Sequence, residues 1–419
     1  MKLIWKILFI IYYLCVTLGP LIYVGKIPIS TYHVLFFTLT ISILLSNLFI
    51  KKYKVYIFPY LKFYILTMFF YMLLYILRLF DTNYKPSFRD FIILYSSLQY
   101  VILVIVITNM FKVKDFTTTL IKINIYVMSL MGLISIFQIL HLFGVQEILL
   151  KYYSKIGSES RIEYLYWNPR STATFNLEPN TLGLYMAFSL LMFHVFYQNL
   201  KIHKFIKAIL YLFGLIGLVL SGSFTALFIY IFTTFLFLTA YNKIGLKLIT
   251  FLVVLILSLS TIFYEQIEPS IKRQKLSADN IIPSSLKHRI NDRWVKVYRD
   301  FEPHFLIGIG PSAIQLDYST DNEYLDKFLR HGIIGGIVFL SYIFFLIYYP
   351  YYKKRQVNDP FIKKLFLFSS LLAICFAMAS LTGTAFKAKR VGELFWIFYS
   401  LPFIKLYLNK LNEQKLIQK

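Results

Sequence analysis

The sequence predicts an all-α, polytopic integral membrane protein, and three observations carry the prediction. Of 419 residues, 58% are hydrophobic and only 15% charged. Apolar stretches of spanning length recur along the chain, and Lys and Arg collect in alternate connections between them. So little polar surface cannot cover a soluble globule of this size, which leaves lipid as the solvent.

A spanning helix needs roughly 20 apolar residues, and about twelve such stretches are present by that measure. They begin near Leu3, Pro28, Tyr60, Phe91, Ile121, Thr181, Ala208, Phe224, Leu248, Ile333, Leu365 and Val391. The first follows Met1-Lys2 as a signal peptide would, yet it is long, lacks a small-residue cleavage site and is followed by further spans, so it reads as an anchor. The seventh is short and breaks at Ser221-Gly222-Ser223. Cys15 and Cys375 both fall inside predicted spans, so neither a disulfide framework nor a thiolate metal site is expected. Residues 1–419 thus read as one transmembrane domain.

Short cytoplasmic loops retain positive charge. The basic connections hold Lys51, Lys52 and Lys54; Lys112 and Lys114; Lys201, Lys204 and Lys207; Lys243 and Lys247; Lys353, Lys354, Arg355, Lys363 and Lys364; and Lys410, Lys415 and Lys419. Both termini are therefore expected in the cytoplasm, with polar loops outside over 81–90, 145–180 and 265–332. The formal charge of +24 is mainly this topology signal rather than the mark of an acidic partner. The longest outer loop, between the ninth and tenth spans, balances acids such as Asp292, Asp300, Asp321 and Glu323 against bases such as Arg289, Arg293, Lys296 and Arg330. A neutral, densely charged loop is not a nucleic-acid surface.

An ion-coupled transporter usually carries an acid or paired charge at mid-membrane. Here Glu393 is the only acid within a predicted span, close to its outer end, and Lys6, Lys62, Arg78 and Lys122 lie near helix ends where they can snorkel. Attention therefore moves to the outer loops.

The stretch from Pro283 to Phe301 has a helical pattern: Leu286, Ile290, Trp294, Val297 and Phe301 recur at spacings of three and four. Arg289, Arg293 and Lys296 align on a neighbouring face, suited to lipid phosphates or to a bound phosphate. Gly308-Ile309-Gly310-Pro311 must turn. Thr320-Asp321-Asn322-Glu323 fits a capping box, with Thr320 as cap and Glu323 returning to it, at the start of a helix that leads through Gly332 into the tenth span. Asp321 in a first helical turn is also favoured by the helix dipole alone. In the preceding outer loop, Arg170 to Asn180 ends in Glu178-Pro179, where a helix begins. Arg170 can pair with Glu163 or Glu178, or face an anion.

At these residues the chain resembles the bacterial O-antigen and capsular polysaccharide polymerases, within the wider polymerase and ligase group. Two patterns carry the resemblance. One is Arg170, Phe175 and Pro179-Asn180; the other is Arg289, Trp294, Gly308 with Gly310, Asn322, Leu325 and the Gly332-Ile333-Ile334-Gly335 run. Ligases of the group carry His before the Asn, where this chain has Asp321, and Glu178 before Pro179 also looks like the polymerases. Many relatives have Arg after the Ser of the seventh-span break, where Phe224 stands here.

The resemblance implies transfer of a polyprenyl-pyrophosphate-linked glycan to the next lipid-linked oligosaccharide repeat unit, on the outer face of the bacterial plasma membrane. Breaking the anomeric bond leaves charge on the pyrophosphate, which needs preplaced cations. Arg170, Arg289 and Arg293 are the first candidates, with Lys387, Lys389 and Arg390 as further phosphate contacts; headgroup binding is the plain alternative for that second cluster. Asp321 is the candidate base, with Glu178 and Glu323 in reserve. His288, His304 and His331 read as incidental. The transfer is expected to need no metal or other cofactor, since the capping box explains Asp321-x-Glu323. Membrane lipid and a chain-length regulator are the other expected partners. The rival readings are an O-antigen ligase, a lipid-linked oligosaccharide flippase, whose cations should line an internal cavity, and a noncatalytic assembly subunit.

Overall fold

The computed structural model describes residues 2–24, 27–50, 57–81, 84–88, 90, 93, 98–113, 115–154, 170–175, 178–241, 254–256, 258–264, 268, 287–311 and 320–417. It is mostly helical, at 82%. In chain order, α1 (Lys2–Leu18) leads to a two-stranded antiparallel hairpin of β1 (Leu21–Val24) and β2 (Ile27–Ser30). Then come α2 (Thr31–Ile50), α3 (Pro59–Leu79), α4 (Leu98–Val113), α5 (Thr117–Ile139), short α6 (Val145–Tyr153), α7 (Pro179–Phe196), α8 (Lys204–Leu220) and α9 (Phe224–Tyr241). A π-helical turn, Arg289–Trp294, runs into α10 (Val295–Phe301), followed by α11 (Glu323–Arg355), α12 (Pro360–Ala379) and α13 (Val391–Ile417).

Among the described residues, six helices are long and apolar enough to cross a membrane: Pro59–Leu79, Thr117–Ile139, Pro179–Asn199, Glu323–Arg355, Pro360–Ala379 and Val391–Gln414. Shorter apolar helices accompany them at Ile4–Leu18, Thr31–Ile43, Leu98–Phe111 and Phe224–Thr239. The expected ninth span from Leu248 and the start of the fourth at Phe91 lie largely outside the described residues. The hairpin is a departure from the all-α expectation. Pro28 belongs to β2, opposite Tyr23, and the helix expected from it starts at Thr31. Branched Ile27 and Ile29 on either side of Pro28 suit a strand, and a two-stranded ribbon has edges that tolerate Pro.

Burial separates centre from rim. The apolar windows of α7, α12 and α13 are 78%, 72% and 83% buried, against 28% for α3 and 39% for α11. α7 packs on α5, α8, α9 and α12, and α12 packs in turn on α11 and α13. α5 and α8 meet backbone to backbone, since a Cβ on Gly132 would fall 1.9 Å from the Phe213 carbonyl oxygen; small residues permit such crossings. The rim helices leave large apolar side chains uncovered, including Phe69 and Leu73 on α3, Phe228 and Phe235 on α9, and Phe344 on α11. A helix satisfies its own backbone, so that surface is stable against lipid.

The α11 helix is broken where the sequence placed its flexible joint. Gly332 adopts φ 67 and ψ −172, which only glycine takes up readily. The groups freed by the break are recaptured by the turn after α10: Ile309 N–H donates to Leu329 O at 2.9 Å, Gly310 N–H to Arg330 O at 3.1 Å, and Ile333 N–H to Phe305 O at 2.8 Å. The Gly308-x-Gly310 turn thus splices the segment after α10 onto α11, and fixes how α10 sits beside the start of that helix.

Candidate functional site

Three segments converge at one end of the bundle. The first is the loop 170–175 ahead of α7. Gln138, buried near the end of α5, organises it: its Oε1 accepts Thr172 N–H, Ala173 N–H and Ser171 Oγ–H, each at 3.0 Å, while its Nε2 donates to Thr172 Oγ1 at 3.2 Å. The loop needs such support because Ala173 is held at φ 40, a left-handed conformation costly for a residue with a Cβ. Ser171 N–H adds a bond to Leu220 O at 2.8 Å, tying the loop to the end of α8.

Arg170 is thereby fixed in an interior position, 7% exposed. Its Nε donates to Ser221 O at 2.9 Å and one terminal nitrogen donates to Asn180 Oδ1 at 2.8 Å. Both partners are neutral, and among the described residues no carboxylate forms an ion pair with Arg170. Burial lowers its guanidinium to about 10, with no acid to offset the shift. The cation lies between the first turn of α7, reached through Asn180 and carrying positive potential, and the C-cap of α8, where the Ser221 carbonyl offers partial negative charge. Neither expected pairing is the one seen: Glu163 lies outside the described residues, and Glu178, the residue before α7, instead accepts Thr181 Oγ1–H at 3.0 Å.

The second segment is the start of α11 together with the π turn. Asn322 caps the helix, its Oδ1 accepting Tyr324 N–H at 3.0 Å and Leu325 N–H at 3.1 Å. This corrects the expected Thr320 and Glu323 capping box: the amide one residue before the helix satisfies both free N–H groups, and Glu323 turns inward. Asp321 precedes the cap at φ 47. It is brought together with two of the arginines expected near a phosphate, Arg289 and Arg293. Arg293 Nη1 donates to Asp321 Oδ2, and Arg289 Nε lies 3.8 Å from the same oxygen. Burial pushes the Arg289 guanidinium down; Asp321 acts against that shift and Arg293 adds to it. Of the predicted helical stripe, Val297 is buried and Ile290 exposed; Pro283 to Leu286 lie outside the described residues. Lys296 is exposed and does not join the cluster.

The third segment is the connection from α12 to α13. Glu323 is 1% exposed, and its Oε2 accepts Ser380 Oγ–H at 3.0 Å and Phe386 N–H at 3.1 Å. Its own N–H donates to Ser380 O at 2.8 Å. The carboxylate named as a reserve base therefore pins this connection to the start of α11. Thr382 Oγ1–H reaches Thr225 Oγ1 at 3.3 Å, linking the connection to α9 beside the Arg170 turn. Arg390, expected at a phosphate, is fully buried and points inward; it donates to Thr174 O at 2.7 Å and to Gly19 O, and lies over the Tyr153 ring at 5.6 Å. Lys389 is exposed, and the Lys387 side chain lies outside the described residues.

The same end thus holds these residues in separate bonded groups: Arg170 with Ser221 and Asn180, Glu178 with Thr181, Asp321 with Arg289 and Arg293, Glu323 with Ser380 and Phe386, and Arg390 with Thr174 and Gly19. Of the histidines, His331 is buried and stacks on Tyr71 at 4.1 Å, and His288 pairs with Asp292. Among the described residues no group of three His, Cys, Asp or Glu side chains is arranged to hold a metal. The residue that sequence reasoning missed is Gln138. Its signal was a lone amide between Phe137 and Ile139 at the end of an apolar run, where an unpaired polar group is costly. The sequence matches no protein-family model, and no curated protein matches it.

Proposed function

We propose that the chain is a polysaccharide polymerase, a membrane glycosyltransferase that moves a polyprenyl-pyrophosphate-linked glycan onto the next lipid-linked repeat unit. The observation that carries the reading is Arg170, a buried guanidinium whose hydrogen-bond partners among the described residues are all neutral. A buried charge without a counter-ion is costly, so an anionic ligand is the natural completion of the site. Arg289 and Arg293 at the same end of the bundle add two more forks suited to phosphate oxygens.

In the reaction, the anomeric C–O bond of the donor breaks and its electron pair stays on the pyrophosphate oxygen, where the three arginines offset the developing charge. The acceptor hydroxyl oxygen forms the new glycosidic bond and its proton passes to Asp321. Glu323 acts from behind by fixing the helix start that carries Asp321. The bundle would span the plasma membrane about twelve times by the length criterion, with both termini cytoplasmic and this end outside. The basic groups at the other end fit that orientation: Lys207 bonds Tyr197 O, Lys364 bonds Gln198 and Asn199, and Lys405 pairs with Asp115.

The test is direct: purified protein with one lipid-linked repeat unit in detergent or vesicles, followed for longer glycans. A ladder is expected, lost in Arg289→Ala and Asp321→Asn. Movement of the lipid-linked unit across vesicles without elongation would replace the polymerase with a flippase.

A further inference from the structure

We propose that Asp321 sets the affinity threshold for anions at the Arg289 and Arg293 pair: its carboxylate occupies their fork, keeps out weakly held ligands bearing a single phosphate charge, and yields to a diphosphate. The inference rests on reading this end of the bundle as a diphosphate site, but it concerns binding rather than bond making.

The two arginines and the aspartate come from separate pieces of chain. Arg289 and Arg293 lie four residues apart in one π turn, so their guanidiniums form a fixed pair, and both address the same carboxylate oxygen. Asp321 arrives from the other direction, ahead of the α11 cap. Its backbone φ of 47 is one that Asp tolerates, so a side-chain rotation frees the fork while Asn322 keeps the helix capped. All three side chains are reachable from outside, at 20%, 35% and 29% exposure for Arg289, Arg293 and Asp321. The fork sits among apolar side chains that are also exposed, Ile290, Val295 and Tyr298. That mixture suits the headgroup layer of a membrane, where singly charged phosphodiesters are abundant.

Exchanging a carboxylate for a phosphodiester replaces one negative charge by another and gains no Coulomb energy. A diphosphate brings at least one more charge and enough oxygens to engage both guanidiniums in bidentate fashion. Asp321 therefore acts as a built-in competitor that removes the weak ligands and is outcompeted by the strong one. A ligand shifts such an equilibrium only through its difference in affinity for the two states.

The experiment uses the purified full chain in detergent, titrated with inorganic pyrophosphate and, separately, with dimethyl phosphate as the singly charged probe. Asp321→Asn is compared with Asp321→Gly, which keeps the backbone conformation and removes the acceptor altogether. Both variants are expected to tighten dimethyl phosphate and pyrophosphate alike, each by about tenfold or more, the size of one displaced charge contact, because both ligands must displace the same carboxylate. Arg289→Gln with Arg293→Gln should weaken pyrophosphate by about tenfold or more on the same scale. The proposal is overturned if the Asp321 variants leave dimethyl phosphate unchanged, if they weaken pyrophosphate, or if the double arginine variant or the wild type shows no pyrophosphate binding at the fork. The polymerase reading fails separately: tightened anion binding in the Asp321 variants with no glycan ladder from the wild type removes the enzyme and keeps the gate, and a wild-type ladder with unaltered anion binding in the variants removes the gate alone.

Discussion

Gln138 and Ala173 meet across the end of α5 and the loop before α7, the carboxamide oxygen of one accepting the backbone N–H of the other at 3.0 Å. Because Ala173 sits at φ 40, that bond and its twin to Thr172 hold a conformation the loop does not favour by itself. Arg170 lies three residues upstream, so its placement depends on an amide in a different helix.

Replacing Gln138 by Leu is accordingly expected to cost roughly 2–6 kcal/mol, since two buried N–H groups lose their acceptor and each is worth about 1–3 kcal/mol unsatisfied. Thermal unfolding in detergent measures it. Elongation should fall further than stability, because the loop relaxes and Arg170 moves with it. A variant that melts as wild type and elongates as wild type would show that Gln138 holds nothing of consequence.

Arg170 gives a pH prediction with a definite sign. Its folded value is lowered by burial to about 10, below its unfolded value. Between those two values the unfolded chain binds more protons, so its contribution to stability rises with pH in that window, and below about 10 the cost of the buried charge is present in full. A bound anion offsets that cost. Inorganic pyrophosphate should therefore raise the melting temperature near neutral pH, and the protection should fade as pH climbs through about 10. In Arg170→Gln the fading component should vanish. On elongation, Arg170→Lys is expected to lose about 100-fold, the scale for one preorganised donor at a developing charge.

The helix cap separates what was legible from what was not. That a helix starts near residue 320 and meets a joint at Gly332 followed from the polar cluster and the glycine, and α11 runs from Glu323 with its break at Gly332. Which side chain caps it did not follow, because Thr320, Asp321 and Asn322 are all good acceptors and the choice depends on where Glu323 points. Glu323 points into the bundle, toward Ser380 and Phe386, sixty residues on in the chain, and no local pattern encodes that. The inward turn of Arg390 is hidden for the same reason, as its carbonyl partners Thr174 and Gly19 are remote in sequence. The pairing of Asp321 with Arg293 was within reach of charge counting, but not its selection over other acids in the loop. The six helices long and apolar enough to cross a membrane among the described residues were readable because each needs only its own residues and lipid.

Substitution distinguishes the two caps. Asn322→Ala should destabilise by about 1 kcal/mol, the usual cost of a lost N-cap acceptor. Thr320→Val, which keeps shape and removes the hydroxyl, should cost less than Asn322→Ala, since Asn322 Oδ1 accepts both first-turn N–H groups. The reverse ranking in a denaturation series would restore Thr320 as the cap.

The splice at Gly332 supplies the last prediction. A Cβ there would fall 2.1 Å from Leu306 O, and one on Gly308 would fall 2.4 Å from the Arg330 carbonyl carbon, so both contacts are with backbone that cannot move aside. Both glycines also have positive φ, at 67 and 73. Gly332→Ala and Gly308→Ala are each expected to cost roughly 2–4 kcal/mol, combining strain at a glycine-only conformation with the overlap. Gly383→Ala is the control, since its nearest neighbour in the same sense is Ala379 O at 3.8 Å. Because the turn at Gly308 carries α10, and α10 follows the π turn bearing Arg289 and Arg293, the first two variants should also loosen the contact to Asp321. Faster proteolysis between α10 and α11 in those two variants, and not in the control, is the result that ties the break in α11 to the geometry of the site.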